Sequence, residues 1–398
     1  MNICFLSREY PPKIIGGVGT YTYEMAQALR ALGHGVYIIT EAIGEERELY
    51  EDGIYVMRIA CRDIPLFAPF RNVLKMTIDR LEYSYAVSKK LSRIVEKYKI
   101  DIVESCEARA EGFWYYLFHR KPPLIIKLHT PEKIAFRLDR ITESLDVKIR
   151  NLLEEWWILR ADKIVAVTKA IAGLVSHYYH IELKDLSPVY YPLNAELFKP
   201  NGHLSKNTNP VVLYAGRLEV RKGVLILLEA IPLVIAEFPN VQFYFVGADA
   251  GIKYRMDKMI DRLGCAKNIT FVSQVSREEM VSYYRSSDIC VFPSLWENFA
   301  FTALEAMACA KTVIVSRTGG FLEMIDDGVT GIFCDPEDPC DVAEKMRCAL
   351  RDASFRASIG EQARARVLQR YAPRKKAKEM AEIYQKMLSR NNHDKKGE

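Results

Sequence analysis

The stretch Asp288–Glu305, DICVFPSLWENFAFTALE, constrains this chain more than any other. Ile289, Cys290, Val291 and Phe292 form an unbroken apolar run stopped by Pro293, the pattern of a strand buried on both faces of a parallel sheet. Ser294–Asn298 is too polar and irregular to continue that strand. From Phe299 the residues turn into helix formers, ending in Leu304, Glu305, Ala306, Met307 and Ala308. A helix that starts at a strand's carboxyl end presents backbone N–H groups and the positive end of its dipole. Such a start suits a phosphate or diphosphate, here at Asn298, Phe299, Ala300 and Phe301. Glu297 stands just before the helix, and Glu305 about two turns inside it. Carboxylates repel a bound diphosphate, so they are expected to face its hydroxyl-rich neighbours. A phosphate with a sugar on each side is the pattern of a nucleotide-sugar.

Pro293-Ser294 precedes the glutamate pair and Ala306-Met307-Ala308 follows it; then come Thr318-Gly319-Gly320 and Asp327-Gly328-Val329-Thr330-Gly331. Together these resemble the E-x7-E region of the retaining family-4 glycosyltransferases. Ala300 and Ala310 stand where that family usually has glycine, and a methyl group at 300 crowds a backbone that must approach a phosphate. The resemblance covers nearly the whole chain. It implies an α/β protein of the GT-B class: two Rossmann-like βαβ domains facing across a cleft, with a C-terminal helix crossing back to the first. The expected boundaries are 1–200 for an acceptor-binding domain, 201–373 for a donor-binding domain, 374–390 for the returning helix and 391–398 for a disordered charged tail.

A chain of 398 residues exceeds one ordinary core and agrees with two domains of about 200 residues each. Its net charge of +5 is too modest to indicate nucleic-acid binding, while anionic substrates and membrane surfaces stay open. Nine cysteines show neither a C-x-x-C pair nor Cys/His ligand spacing. Most, such as Cys4, Cys290 and Cys309, lie in apolar runs. Buried free thiols fit a reducing cytoplasm. The opening MNICFLSREYPP enters a strand with no signal-type segment, and no apolar run reaches the roughly 18 residues that span a bilayer. A cytoplasmic protein is expected, with peripheral contact at the inner membrane face left open. Phe113–Lys121, Trp156–Arg160 and Tyr178–Tyr191 mix aromatic and basic residues, which fits contact with a membrane or an aglycone, or core residues with snorkelling cations.

In chain order, Asn2–Leu6 reads as a strand and Ser7–Gly19 as a loop carrying Gly16 and Gly17. A helix follows from about Thr20 to Leu32, then the strand Val36–Thr40. This is a Rossmann-like unit without the dinucleotide fingerprint. Ile54–Ile59, Ile102–Glu104, Leu124–Leu128 and Lys163–Val167 continue the strands, with helical stretches at Phe70–Tyr98 and Asn151–Arg160. His129 falls just past a strand's carboxyl end, where open α/β sheets keep their ligands. After a linker at Asn201–Pro210, Val211–Ala215 restarts the alternation and runs into Gly216-Arg217-Leu218 and Lys222-Gly223. Arg217 suits bidentate contact with phosphate and Lys222 adds a point charge. Gln242–Val246, Ile269–Val272, Thr312–Ser316 and Gly331–Cys334 are further strands, and helices are expected over Pro339–Asp352 and Ala353–Arg370.

The resemblance assigns roles to these positions. Arg217 and Lys222 neutralise the donor diphosphate, Glu297 serves the donor sugar, Glu305 takes the ribose hydroxyls and His129 lies near the sugar. Gly16 and Gly17 bring amides toward donor and acceptor, and Val275 lies where the nucleobase is held. No D-x-D pair stands at a strand end to hold Mg²⁺ or Mn²⁺, so neither metal nor other cofactor is expected. The implied reaction is metal-independent transfer of a hexosyl group with retention. Its donor is a nucleotide-sugar, a UDP-sugar first and a GDP-sugar second, and its acceptor a hydroxyl of a sugar, a lipid-linked or a small molecule. A sugar phosphorylase or sugar-nucleotide epimerase on the same fold, or a non-catalytic sugar-nucleotide-binding protein, are the alternatives.

Overall fold

Parallel strands bury both faces and need a long return path, so each is encoded as a short unalternating apolar run followed by a helix. The computed structural model describes residues 1–14, 16–138, 143–200 and 209–394. It divides into two units, one of residues 1–192 with the helix Pro373–Asp394, the other of Leu193–Ala372. Leu193, not residue 201, begins the second unit, because the segment after Pro192 packs into it. The Leu193 N–H donates to the Tyr371 carbonyl at 2.9 Å, and buried Phe198 meets Tyr284 edge-on at 6.1 Å. Residues 201–208 of the expected linker lie outside the described residues, as do 395–398 of the expected tail. The last helix itself runs to Asp394, four residues further than expected.

The first unit holds β1 (Asn2–Leu6), β2 (Gly35–Glu41), β3 (Arg47–Glu51), β4 (Ile54–Ile59), β5 (Ile102–Cys106), β6 (Leu124–Leu128), β7 (Lys163–Ala166) and β8 (Leu186–Pro188). They form one sheet in the order β3-β4-β2-β1-β5-β6-β7-β8, parallel except for β3, which pairs antiparallel with β4. The edge strands β3 and β8 escape the apolar-run signal: β3 is largely exposed and β8 has three residues. The expected helix at 70–98 begins at Lys75 and ends at Lys97, behind a short 3₁₀ turn over Pro65–Phe70.

The second unit holds β9 (Val211–Ala215), β10 (Gln242–Val246), β11 (Ile269–Val272), β12 (Ile289–Phe292), β13 (Thr312–Ser316) and β14 (Ile332–Cys334). Its order is β11-β10-β9-β12-β13-β14, all parallel. The helix Val224–Ile235, VLILLEAIPLVI, is apolar almost all round and is accordingly sunk in the core beside the helix Pro339–Arg351. Strand order reverses between β1 and β5 in one unit and between β9 and β12 in the other. Open α/β sheets bind ligands at the carboxyl ends beside such reversals.

The helix Pro373–Asp394 packs on the helix Gly17–Ala31 of the first unit. Glu104, buried on β5, accepts hydrogen bonds from Tyr21 at 2.7 Å and from Tyr384 of that last helix. Burial raises the Glu104 pKa despite these two donors and the nearby Lys127. Tyr384→Phe leaves one carboxylate oxygen short of a donor in a dry site, and is expected to cost about 1–3 kcal/mol in urea unfolding. Faster amide exchange along 373–394 should accompany that loss. Unchanged exchange would mean that the hydroxyl does not anchor the helix.

Candidate active site

In the second unit β9 and β12 are neighbours, so the loops leaving their carboxyl ends lie side by side. Gly223 closes the 3₁₀ turn Val220–Lys222 with φ +71°, and a Cβ there would lie 1.7 Å from the Pro293 carbonyl oxygen. Only glycine lets the turn rest on the end of β12. Leu295 N–H then donates to the Arg221 carbonyl at 2.8 Å. A third loop, after β13, docks onto the same segment: Gly320 N–H donates to the Glu297 carbonyl at 2.8 Å. Gly319, at φ +52°, has room for no Cβ, which would come within 2.1 Å of that carbonyl oxygen. Two glycine turns thus hold the backbone of 293–297.

Held this way, the Glu297 side chain is buried and its carboxylate pairs with the Lys222 ammonium. Burial works against its charge. Lys222, Arg221 and Arg217 together overcome that penalty, so its pKa lies below the usual glutamate value. Arg217 is half exposed and rests against Glu219 at 3.3 Å, which also takes Arg221 at 2.8 Å. Three cations therefore converge on two carboxylates. Arg217, Lys222 and Glu297 are expected from the sequence; Arg221 and Glu219 are not, because their roles depend on the fold of a turn.

The helix starts at Phe301, with Ala300 as an extended N-cap at φ −90° and ψ 105° that has no side-chain oxygen to cap with. Glu305 therefore lies little more than one turn inside the helix, not two. Residues 298–300 stay out of it: Asn298, Phe299 and Ala300 are buried, and the Phe299 ring packs on Tyr371 at 5.6 Å. Phe301, also buried, follows as the first helical residue. Glu305 accepts from the Tyr284 hydroxyl at 2.9 Å and pairs with Arg277 at 3.3 Å. Arg277 and Tyr284 are seven apart on the helix Arg277–Ser286, hence on one face, a spacing that could have pointed to them. Val275 is half-buried in the loop between β11 and that helix.

Gly16, Gly17 and His129 belong to the first unit. Gly16 is the extended N-cap of the helix Gly17–Ala31 and donates its N–H to Glu9 Oε2 at 3.0 Å. No atom stands within 4 Å of a Cβ built there, so the chain itself does not require glycine at 16. His129 follows β6 directly. Its N–H lies 2.9 Å from both Glu107 oxygens, and its Nδ1 is 2.5 Å from the Tyr191 hydroxyl. Burial, with a smaller contribution from Lys127, pushes the imidazole pKa down to about 3, so the ring is neutral. Among the described residues no three His, Cys, Asp or Glu side chains gather as a metal-binding group.

The sequence pattern described as Glycosyltransferase Family 4 matches residues 15–197, and that of Glycosyl transferases group 1 matches residues 196–366. An uncharacterized glycosyltransferase of Methanocaldococcus jannaschii is 26% identical over 399 residues, 96% of this chain and 98% of that one. Among solved structures, the sucrose-phosphate synthase of Thermosynechococcus elongatus matches with a TM-score of 0.79 at 20% identity, over 98% of this chain and 99% of that one. HepE of Anabaena, in complex with UDP and glucose, matches at 0.76 and 20% identity over 97% and 100%. The likeness to these two is one of fold, the GT-B architecture of paired parallel-sheet α/β units.

A neutral His129 has a pH consequence. Its folded pKa lies below the ordinary value near 6.5, so the unfolded chain binds the proton first as pH falls. The stability it contributes is complete above about pH 6.5 and drains away toward about pH 3. The ring resonances of His129 are expected not to titrate between about pH 5 and 8 in an NMR series, and a midpoint near 6.5 would contradict the burial assignment.

Proposed function

The chain belongs to the group 1 glycosyl transferases of family 4, and from that premise we propose that it moves a hexosyl group from a nucleotide-sugar to an acceptor hydroxyl with retention at the anomeric carbon. The observation that carries the donor reading is the convergence of Arg217, Arg221 and Lys222 on Glu297 beside the start of the helix Phe301–Ala308. Cations and a helix start form a seat for a diphosphate. When the glycosidic bond to the nucleotide breaks, negative charge builds on the leaving phosphate. Arg217 and Lys222 then take up that charge, the role a divalent cation plays elsewhere, so the transfer is metal-independent. Glu297 gives up part of its hold on Lys222 and serves the hydroxyls or the developing positive charge of the donor sugar. Glu305, oriented by Tyr284 and Arg277, takes the ribose hydroxyls. A UDP-sugar is the favoured donor, supported by the complex of the similar Anabaena protein with UDP and glucose. The cation group also speaks against a simple glycosidase, whose substrate has no diphosphate to hold.

Thermal-shift titration with UDP, GDP and ADP tests the donor. A nucleotide present at 100 times its Kd is expected to stabilise the protein by about 2.7 kcal/mol, in chelator as well as without it. Arg217→Ala should lower kcat/KM by roughly thirtyfold, about 2 kcal/mol for a lost charge-assisted contact. No shift with any nucleotide, together with turnover on inorganic phosphate, would replace this reading by a phosphorylase. In calorimetric titrations Glu305→Ala should weaken UDP and UDP-sugar alike, whereas Glu297→Ala should weaken the UDP-sugar selectively. Equal losses in both variants would refute that division of labour.

A further inference from the structure

The first unit carries exposed apolar side chains on three packed helices. The helix Lys75–Lys97 packs against the helices Phe113–Phe118 and Leu145–Arg160. Across the three runs a line of four rings: Tyr85 to Trp114 at 6.5 Å, Trp114 to Phe113 at 5.3 Å, Phe113 to Trp156 at 4.9 Å. The Trp114 indole N–H donates to the Leu81 carbonyl at 2.9 Å, which fixes the line to the layer beneath. Arg160 ties the end of the second helix to the third by donating to the His119 carbonyl at 2.8 Å. On these helices Phe118 is 75% exposed, Leu152 66% and Leu159 58%. Cations stand on the same helices and just past them: Lys89 lies 4.4 Å over the Tyr85 ring, exposed Arg120 and Lys121 follow Phe118 after His119, and Lys148 is exposed on the third helix.

Two stretches that stand out in the sequence, 113–121 and 156–160, are thus brought into contact through Phe113 and Trp156. The third is not, because Tyr179 is buried on Glu154 at 2.6 Å and Tyr191 on His129. A contiguous exposed apolar patch marks a contact surface. Its chemistry selects the occupant. Indole and phenol rings settle at the headgroup level of a bilayer, aliphatic tips reach past them, and lysine and arginine pair with anionic headgroups. A second copy of the chain, packed about a twofold axis, would instead bring Lys89, Arg120 and Lys121 against like charges. No helix among the described residues is long and apolar enough to cross a membrane.

We propose that this face docks the protein on an anionic lipid bilayer, with Phe118, Leu152 and Leu159 at the acyl boundary and Arg120 and Lys121 on lipid phosphates. The inference stands on surface chemistry and does not depend on the identity of the donor. Full-length protein is co-sedimented with vesicles of phosphatidylcholine and with vesicles that also contain phosphatidylglycerol. It is expected to bind the mixed vesicles, less so as salt rises, with a blue shift of tryptophan emission. Arg120→Glu with Lys121→Glu should weaken binding about tenfold or more, and Phe118→Ser with Leu152→Ser should do the same through the apolar contribution. All four side chains are exposed, so both pairs should melt like the parent protein. Failure of the full chain to bind mixed vesicles, or binding that both pairs leave unchanged, overturns the proposal. So does a dimer in light scattering that Phe118→Ser with Leu152→Ser turns into a monomer, which would give the face to a second copy.

Discussion

The candidate site of the second unit depends on keeping one carboxylate charged out of water. An ionised glutamate buried without a partner costs several kcal/mol, and it stays ionised only if opposite charge is held against it. For Glu297 the partner is Lys222, 75 residues earlier in the chain, with Arg221 and Arg217 behind it. The parallel pairing of β9 with β12 makes them neighbours, and Gly223 lets the two loops touch. Gly319 adds a third loop against the Glu297 carbonyl. Strand order, glycine placement and the charge group are one construction. Removing any part leaves either a buried charge or a backbone collision.

The first unit uses the same reversal of strand order with the opposite electrostatics. At the carboxyl ends of β5 and β6, burial dominates over pairing. Glu107 and Glu111 are pushed up to about 8 and about 7, and Lys127 is pushed down to about 7. His129 is neutral beside Tyr191, and Glu104 is held by two tyrosine hydroxyls. Hydrogen bonds fix the geometry of His129 and Glu104. One of them comes from the last helix, so residues at the far end of the chain complete the core of its beginning.

Local signals made the architecture legible where they were strong. Short apolar runs mark twelve of the fourteen strands among the described residues, because a parallel strand is buried on both faces. The signal failed at sheet edges, where β3 is exposed and need not be apolar. It also places the helix start too early, since Ala300 stands extended as the N-cap before Phe301. Glu305 is held by Tyr284 and Arg277, neither of which stands near it in sequence.

By itself, then, the sequence determined the residue types: a glutamate pair at fixed spacing, basic residues after β9, and glycines where loops must meet. Those are local properties, set by side-chain chemistry and backbone freedom. Only the tertiary structure decided which charges face each other, that Arg221 joins Lys222, that Glu305 is held by a neighbouring helix, and that two distant aromatic stretches come into contact. The reason is range. Helix and strand preferences act over a few residues, whereas the desolvation and Coulomb energies that define a site depend on distances in space, and sheet order sets those distances.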